Sequence, residues 1–284
     1  MVLMVLGIAQ DGGFPQPGCF RECCKSAKNN QKKLISSVAV INAKTHDCWL
    51  IDITPDFRNQ MKLIKDFLSI DSFPNIKGIF LTHAHVGHYL GLLDLGIEIM
   101  NTKDVPVYAM PVMRDFLKKN APFNFLIDSK NIIIKNIEHN QSISLSNAVS
   151  VKPFLVPHRN ELSETVGYNI KSSNKSITYL PDIDGWELWD KNILDVIVNN
   201  DMLFLDGTFY SDNEIPYRNI SKVPHPFISD SLKVFSKLDS EHKKKIFFTH
   251  LNHTNPLLHK NSLEAKSLIN EGYNILEEKR VFNL

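Results

Sequence analysis

The sequence lacks most of the features that place a protein quickly. Four of its 284 residues are cysteine (Cys19, Cys23, Cys24, Cys48), too few for a fold stapled by disulfides. No apolar run approaches the ~18–20 residues that cross a bilayer, which argues against a membrane partner. Charge of one sign is missing too: 32 Lys and Arg face 31 Asp and Glu, for a net charge of +1. The basic residues are scattered, so no nucleic-acid footprint is expected. There is no repeat period, no low-complexity tract and no long linker. The opening MVLMVLGIA is apolar but short, lacks a basic flank and runs into DGG. It reads as a first strand, not a signal peptide, and makes the cytoplasm the default location.

What is present is a dense series of short β-branched runs. They lie at 2–9, 37–43, 48–53, 78–83, 105–110, 131–137, 149–158, 165–170, 176–183, 202–209 and 245–250, mostly bounded by Gly, Asn, Asp, Ser or Pro. Helical spacing predicts helices at 55–69, 88–100, 111–119, 185–199, 229–238 and 263–272. Both halves are strand-rich, and each carries a few helices. The pattern implies an α/β (α+β) chain with two sheets face to face and helices outside, a single domain over 1–284 being the simplest division.

Two of these strands end alike, IFLTH at 79–83 and IFFTH at 246–250. Others end in FLVPH (His158), ITYLPDID (Asp182, Asp184) and MLFLDG (Asp206). A strand end gives a side chain a rigid mount and an opening to solvent together. Of 11 histidines, five fall at or just after strand ends, and His83, His85 and His88 stand in H-x-H-x-x-H spacing. Residues i and i+2 of an extended segment point to one side, and a third imidazole can return from the first turn of the next helix. Imidazole and carboxylate suit zinc, iron and manganese. The termini therefore form a candidate metal site of His83, His85, His88, His158, His250 and one or two aspartates.

THAHVGH at 82–88, then His158, Asp182 and His250 in that chain order, resembles the metallo-β-lactamase fold superfamily of metal-dependent hydrolases, whose signature is T-H-x-H-x-D-H. LGIAQDGGFPQPGC, LIDITPDFRNQM, LFLDGTF and THLNHTNP further resemble the pyrroloquinoline quinone biosynthesis B (PqqB) family. The resemblance implies a four-layer αββα sandwich and a metal-dependent hydrolase acting on a small-molecule or peptide-like ester, amide or phosphodiester. A homodimer is compatible with it. It also implies that His83, His85 and His158 hold one cation, Asp182 bridges, and His88 and His250 face a second position. Asp184 could replace or support Asp182, while Asp52 and Asp206 either orient imidazoles or close turns.

Where the signature has its aspartate, this chain has Gly87. That predicts a weakened second position and a site biased towards one cation. It leaves room for Fe(II) or Mn(II) beside Zn(II), for an iron-dependent hydroxylase of a tyrosine-containing precursor, and for a non-catalytic carrier. Related phosphodiesterases imply a structural zinc held by Cys19, Cys23, Cys24 and His253, although C-x3-C-C departs from their usual C-x-C-x-x-C. Cys48, inside a strand pattern, is expected in the core.

Overall fold

The computed structural model describes residues 1–25, 27, 31–215 and 223–284. Its strands are β1 (Val2–Gly7), β2 (Ser37–Asn42), β3 (Asp47–Ile51), β4 (Asn75–Phe80), β5 (Val105–Ala109), β6 (Ile132–Asn136) and β7 (Ile143–Ser144). They continue as β8 (Val149–Val156), β9 (Thr165–Ser172), β10 (Ser176–Leu180), β11 (Met202–Asp206), β12 (Ile246–Thr249), β13 (Asn274–Ile275) and β14 (Val281–Asn283). They form two seven-stranded mixed sheets, in the orders β14-β1-β2-β3-β4-β5-β6 and β13-β12-β11-β10-β9-β8-β7.

Period-two alternation explains the layers. Leu3, Val5, Val38, Val40, Ile51 and Phe80 face inward and join Tyr168, Tyr179, Phe204 and Phe248 of the second sheet in one core. Their strand neighbours Met4, Leu6, Ala39, Ile41, Leu50 and Ile79 face outward, onto Phe57, Met61 and Ile64 of the helix Phe57–Leu68. Each buried Val, Leu, Ile, Phe or Met among them contributes about 1.5–3 kcal/mol. Two sheets with helices outside make the four-layer αββα sandwich. Cys48 is fully buried in the first sheet. Among the described residues no helix is long and apolar enough to cross a membrane.

Two helices are shorter than their apolar spacing predicts. The 88–100 segment is one turn of helix, Val86–Tyr89, followed by a 3₁₀ stretch, Leu90–Leu95. The reason lies in the neighbouring backbone: Ile53 N donates to His88 O and Gly91 N to Ile53 O, at 3.0 Å each, so the exit of β3 takes groups a longer helix would need. The 185–199 segment splits into Trp186–Leu188 and Ile193–Val198, because the Asn192 side chain caps the second piece through Leu194 N. The edge strands β7, β13 and β14 are two or three residues long, too short to leave a periodic trace.

Candidate metal centre

Strands β3 and β4 run parallel and deliver Asp52 and Thr82 side by side. Asp52 Oδ1 accepts from Thr82 N at 2.9 Å and from Thr82 Oγ1 at 3.0 Å. Buried Tyr168 donates to Leu81 O at 2.6 Å and pins the same exit from the opposite sheet. His83 follows directly. His85 precedes the short helix Val86–Tyr89, whose last turn returns His88 to the site. From the second sheet, β8 leads to His158, β10 to Asp182 and β12 to His250. Asp52 and His250 both adopt positive φ, 65° and 58°, a conformation unusual for non-glycine residues and tolerated where the surroundings enforce it.

These side chains converge. The ligand-type atoms of His83, His85 and His158 lie within 4.8 Å of one another, and so do those of Asp11, His88 and His250. Asp182 stands between the groups: Oδ2 is 3.4 Å from His88 Nε2, and Oδ1 is 3.5 Å from His250 Nε2 and 3.7 Å from His158 Nε2. The outward nitrogens are tied down. His88 Nδ1 meets Asp52 Oδ2 at 2.7 Å, His158 Nδ1 meets Asp184 Oδ1 at 2.9 Å, and His250 Nδ1 meets Thr208 Oγ1 at 2.9 Å. Of the inward atoms, His158 Nε2 meets His85 Nδ1 at 3.4 Å, and the rest are not tied down. Asp11 Oδ1, His83 Nε2, His88 Nε2, Asp182 Oδ2 and His250 Nε2 are buried with no hydrogen-bond partner. Orphaned buried polar atoms are rare and costly. Here three imidazole nitrogens and two carboxylate oxygens leave their free positions facing one space, and that donor set fits a divalent cation.

Burial and neighbouring charges act differently on these groups. Burial lowers the pKa of His83 far below its ordinary value and brings His85 to about 4, so both stay neutral donors at physiological pH. Burial works against the charge of Asp182, but His250, His88, His83 and His158 outweigh it and hold this carboxyl ionised. Burial opposes charge on His88 as well, yet Asp52, Asp182 and Asp11 raise its pKa strongly. At Asp11 burial is outweighed in the same way by His250 and His88, and its pKa falls well below the usual carboxylate value.

Some expected residues take other places. Asp184 holds the far nitrogen of His158 and does not stand among the inward-facing atoms. Asp206 meets an imidazole, that of His225, with Oδ2 2.7 Å from Nδ1. It accepts from Thr208 Oγ1 at 2.8 Å and from Ile183 N at 3.0 Å, and Thr208 carries the contact on to His250. Two residues escaped sequence reasoning. Asp11, in the DGG turn, carried only a turn signal. His225 sits between two prolines in a loop, where nothing marks a ligand. Its Nδ1 lies 2.7 Å from Asp206 Oδ2, and it forms a further ligand-type group with His158 and Asp182. Replacing Asp52 with Asn should weaken cation binding at this centre by roughly 10–100-fold, as loss of a ligand-orienting carboxylate does. Titration calorimetry with Zn(II) checks this.

The cysteines gather as well. Cys19 Sγ and Cys23 Sγ are 3.8 Å apart, and Cys23 Sγ and Cys24 Sγ lie 3.6 Å and 3.3 Å from His253 Nδ1. Adjacent ligands are possible because Cys23 and Cys24 occupy a short helix, Glu22–Lys25, laid against His253. Burial, opposed by the amide of Gln16 and reinforced by the neighbouring cysteines, raises the Cys24 thiol to about 12. A thiolate there needs a compensating cation, and four clustered S/N donors suit tetrahedral zinc.

Residues 49–251 match the beta-lactamase superfamily domain. The chain is 25% identical to coenzyme PQQ synthesis protein B of Acinetobacter baylyi, an alignment covering 94% of this chain and 95% of that one. The Acinetobacter baumannii (strain ACICU) protein of the same name is 26% identical, with 97% of both chains covered. Among solved structures, Zn(2+)-bound PqqB from Methylobacterium extorquens superposes with a TM-score of 0.84 at 23% identity, covering 100% of both chains. A diphosphatase from the PhnP family gives 0.70 at 26% identity, covering 99% of this chain and 96% of that one. The shared architecture, the gathered donors and the match over most of the chain lead to one assignment: this chain belongs to the beta-lactamase superfamily, with the metallo-β-lactamase fold, and is PqqB-like along its length.

Proposed function

We propose that this chain is a metal-dependent hydrolase whose cation is held by His83, His85, His158 and Asp182, and that its substrate is a small phosphodiester, with esters and amides as weaker substrates. The observation that carries this reading is the gathering of the ligand-type atoms of His83, His85 and His158 within 4.8 Å of one another, with Asp182 Oδ1 3.7 Å from His158 Nε2, while His83 Nε2 and Asp182 Oδ2 are buried without partners and the far nitrogen of His158 is anchored. The chemistry such a cation supplies is a water made acidic near neutral pH and a Lewis acid for a phosphoryl or carbonyl oxygen.

The protein's own residues do the rest. Asp52 and Asp184 fix the tautomers of His88 and His158 and leave their Nε2 atoms to the centre. His225, held by Asp206, is the group placed to carry a proton to a leaving oxygen. Beside Asp11, a cavity of about 220 Å³ lined by Gln10, Gln16, Arg159, Phe209 and Asn252 sets the size and charge of the substrate. Arg159 favours an anionic group there. The 26% identity to the diphosphatase supports phosphoryl chemistry.

The test is turnover of bis(p-nitrophenyl) phosphate, with matched ester and amide substrates, by Zn(II)- or Mn(II)-loaded protein under strict anaerobiosis. Nitrophenol release from the phosphodiester without dioxygen supports the proposal. Product forming only with Fe(II) and dioxygen, from a tyrosine-containing peptide, overturns it in favour of the hydroxylase.

A further inference from the structure

We propose that Asp11 supplies, from the N-terminal loop, the carboxylate missing at Gly87, so that the second cation position is complete and Gly87 is the residue that makes room for it. This rests on the reading above that the centre holds a cation.

A Cβ built on Gly87 would lie 2.2 Å from Asp11 Oδ1, 2.9 Å from Asp11 Cγ and 2.8 Å from Asp11 Cα. No Cβ tolerates such contacts, and the last of them is to backbone, which cannot swing aside. The space a side chain at 87 would enter is the space the Asp11 carboxylate occupies. That oxygen is 3.3 Å from His88 Nε2 and 3.9 Å from His250 Nε2, it is buried without a hydrogen bond, and the other carboxylate facing both nitrogens, Asp182, is shared with His158. A carboxylate has thus been moved to a different part of the chain while its position in space is kept.

The loop that carries Asp11 is held on both sides. Leu251 N donates to Ile8 O at 2.7 Å and Gln10 N to Leu251 O at 2.9 Å, which ties the residues before Asp11 to the residue after His250. Gly13 N donates to Gln10 O at 2.7 Å across the turn, with Gly13 at φ 66°. Asp11 and His250 therefore move as one piece, as two ligands of one ion must.

The assignment predicts that the carboxylate works from position 11 and not from position 87. Zn(II) bound after loading and gel filtration is counted by elemental analysis, and its affinity measured by calorimetry, for wild type, Asp11→Asn, Gly87→Asp and the double variant Asp11→Gly/Gly87→Asp. Asp11→Asn keeps shape and loses charge, so it should retain one equivalent fewer, with the weakest active-centre site loosened by about 100-fold or more, since even indirect partners are worth 10–100-fold. Gly87→Asp alone should do no better, because the two side chains collide. The double variant should not regain the equivalent either, because the Cα of residue 11 still lies 2.8 Å from a Cβ at position 87. Circular dichroism confirms that each variant is folded. Asp11→Asn binding as many ions as tightly as wild type overturns this inference and leaves the proposed function standing. Wild type that binds Zn(II) at the cysteines alone overturns both.

Discussion

The double variant His83→Ala/His85→Ala should lose about 10³-fold or more of its turnover while remaining folded. Both imidazoles enter the group with His158, and both are kept neutral by burial, His85 down to about pH 4. Without them the first cation position keeps His158 and Asp182, too few donors to hold an ion against water. The Lewis-acid contribution forfeited is several kcal/mol, and about 1.4 kcal/mol corresponds to a decade in rate. Stability should change far less. His83 is buried, so truncation leaves a void but also removes a polar ring whose burial costs desolvation, and the two effects oppose each other. Turnover and thermal melting measured together check this. Retained activity would point to a different centre, and a ligand-binding phenotype with no turnover in wild type would point to a carrier.

Cys24→Ser is expected to remove one tightly held Zn(II) and lower the melting temperature by about 5 °C or more. Structural zinc contributes folding free energy directly, and a loss of a few kcal/mol shifts the transition of a chain this size by several degrees. The cluster joins the loop after Asp11 to His253, three residues beyond His250. Loss of the clasp should therefore loosen the active centre too, seen as faster release of its Zn(II) to a chelator. Melting curves and elemental analysis with wild type alongside decide the matter, and an unchanged zinc count would show that the thiols hold no ion.

The fold was legible because burial writes itself into local pattern. Leu3 and Val5 face one way and Met4 and Leu6 the other, so β1 reads as a strand with two apolar faces. The 88–100 helix was misread for the opposite reason. Its apolar spacing is helical, but its hydrogen bonds go to Ile53, which is distant in sequence. The clasp was legible as a cluster of three cysteines, since clustered thiols have few other uses. His225 was not, because an isolated histidine in a loop carries no periodicity and becomes notable only beside Asp206 and His158.

The chain by itself determined the layered sandwich, the strand ends that carry His83, His158, Asp182 and His250, and the absence of a carboxylate at Gly87. Whether that absence leaves a gap was decided only in three dimensions. A missing side chain is a statement about one position, whereas a ligand shell is a statement about one volume. Any segment that reaches the volume can fill it, and here Asp11 reaches it from 76 residues upstream of Gly87.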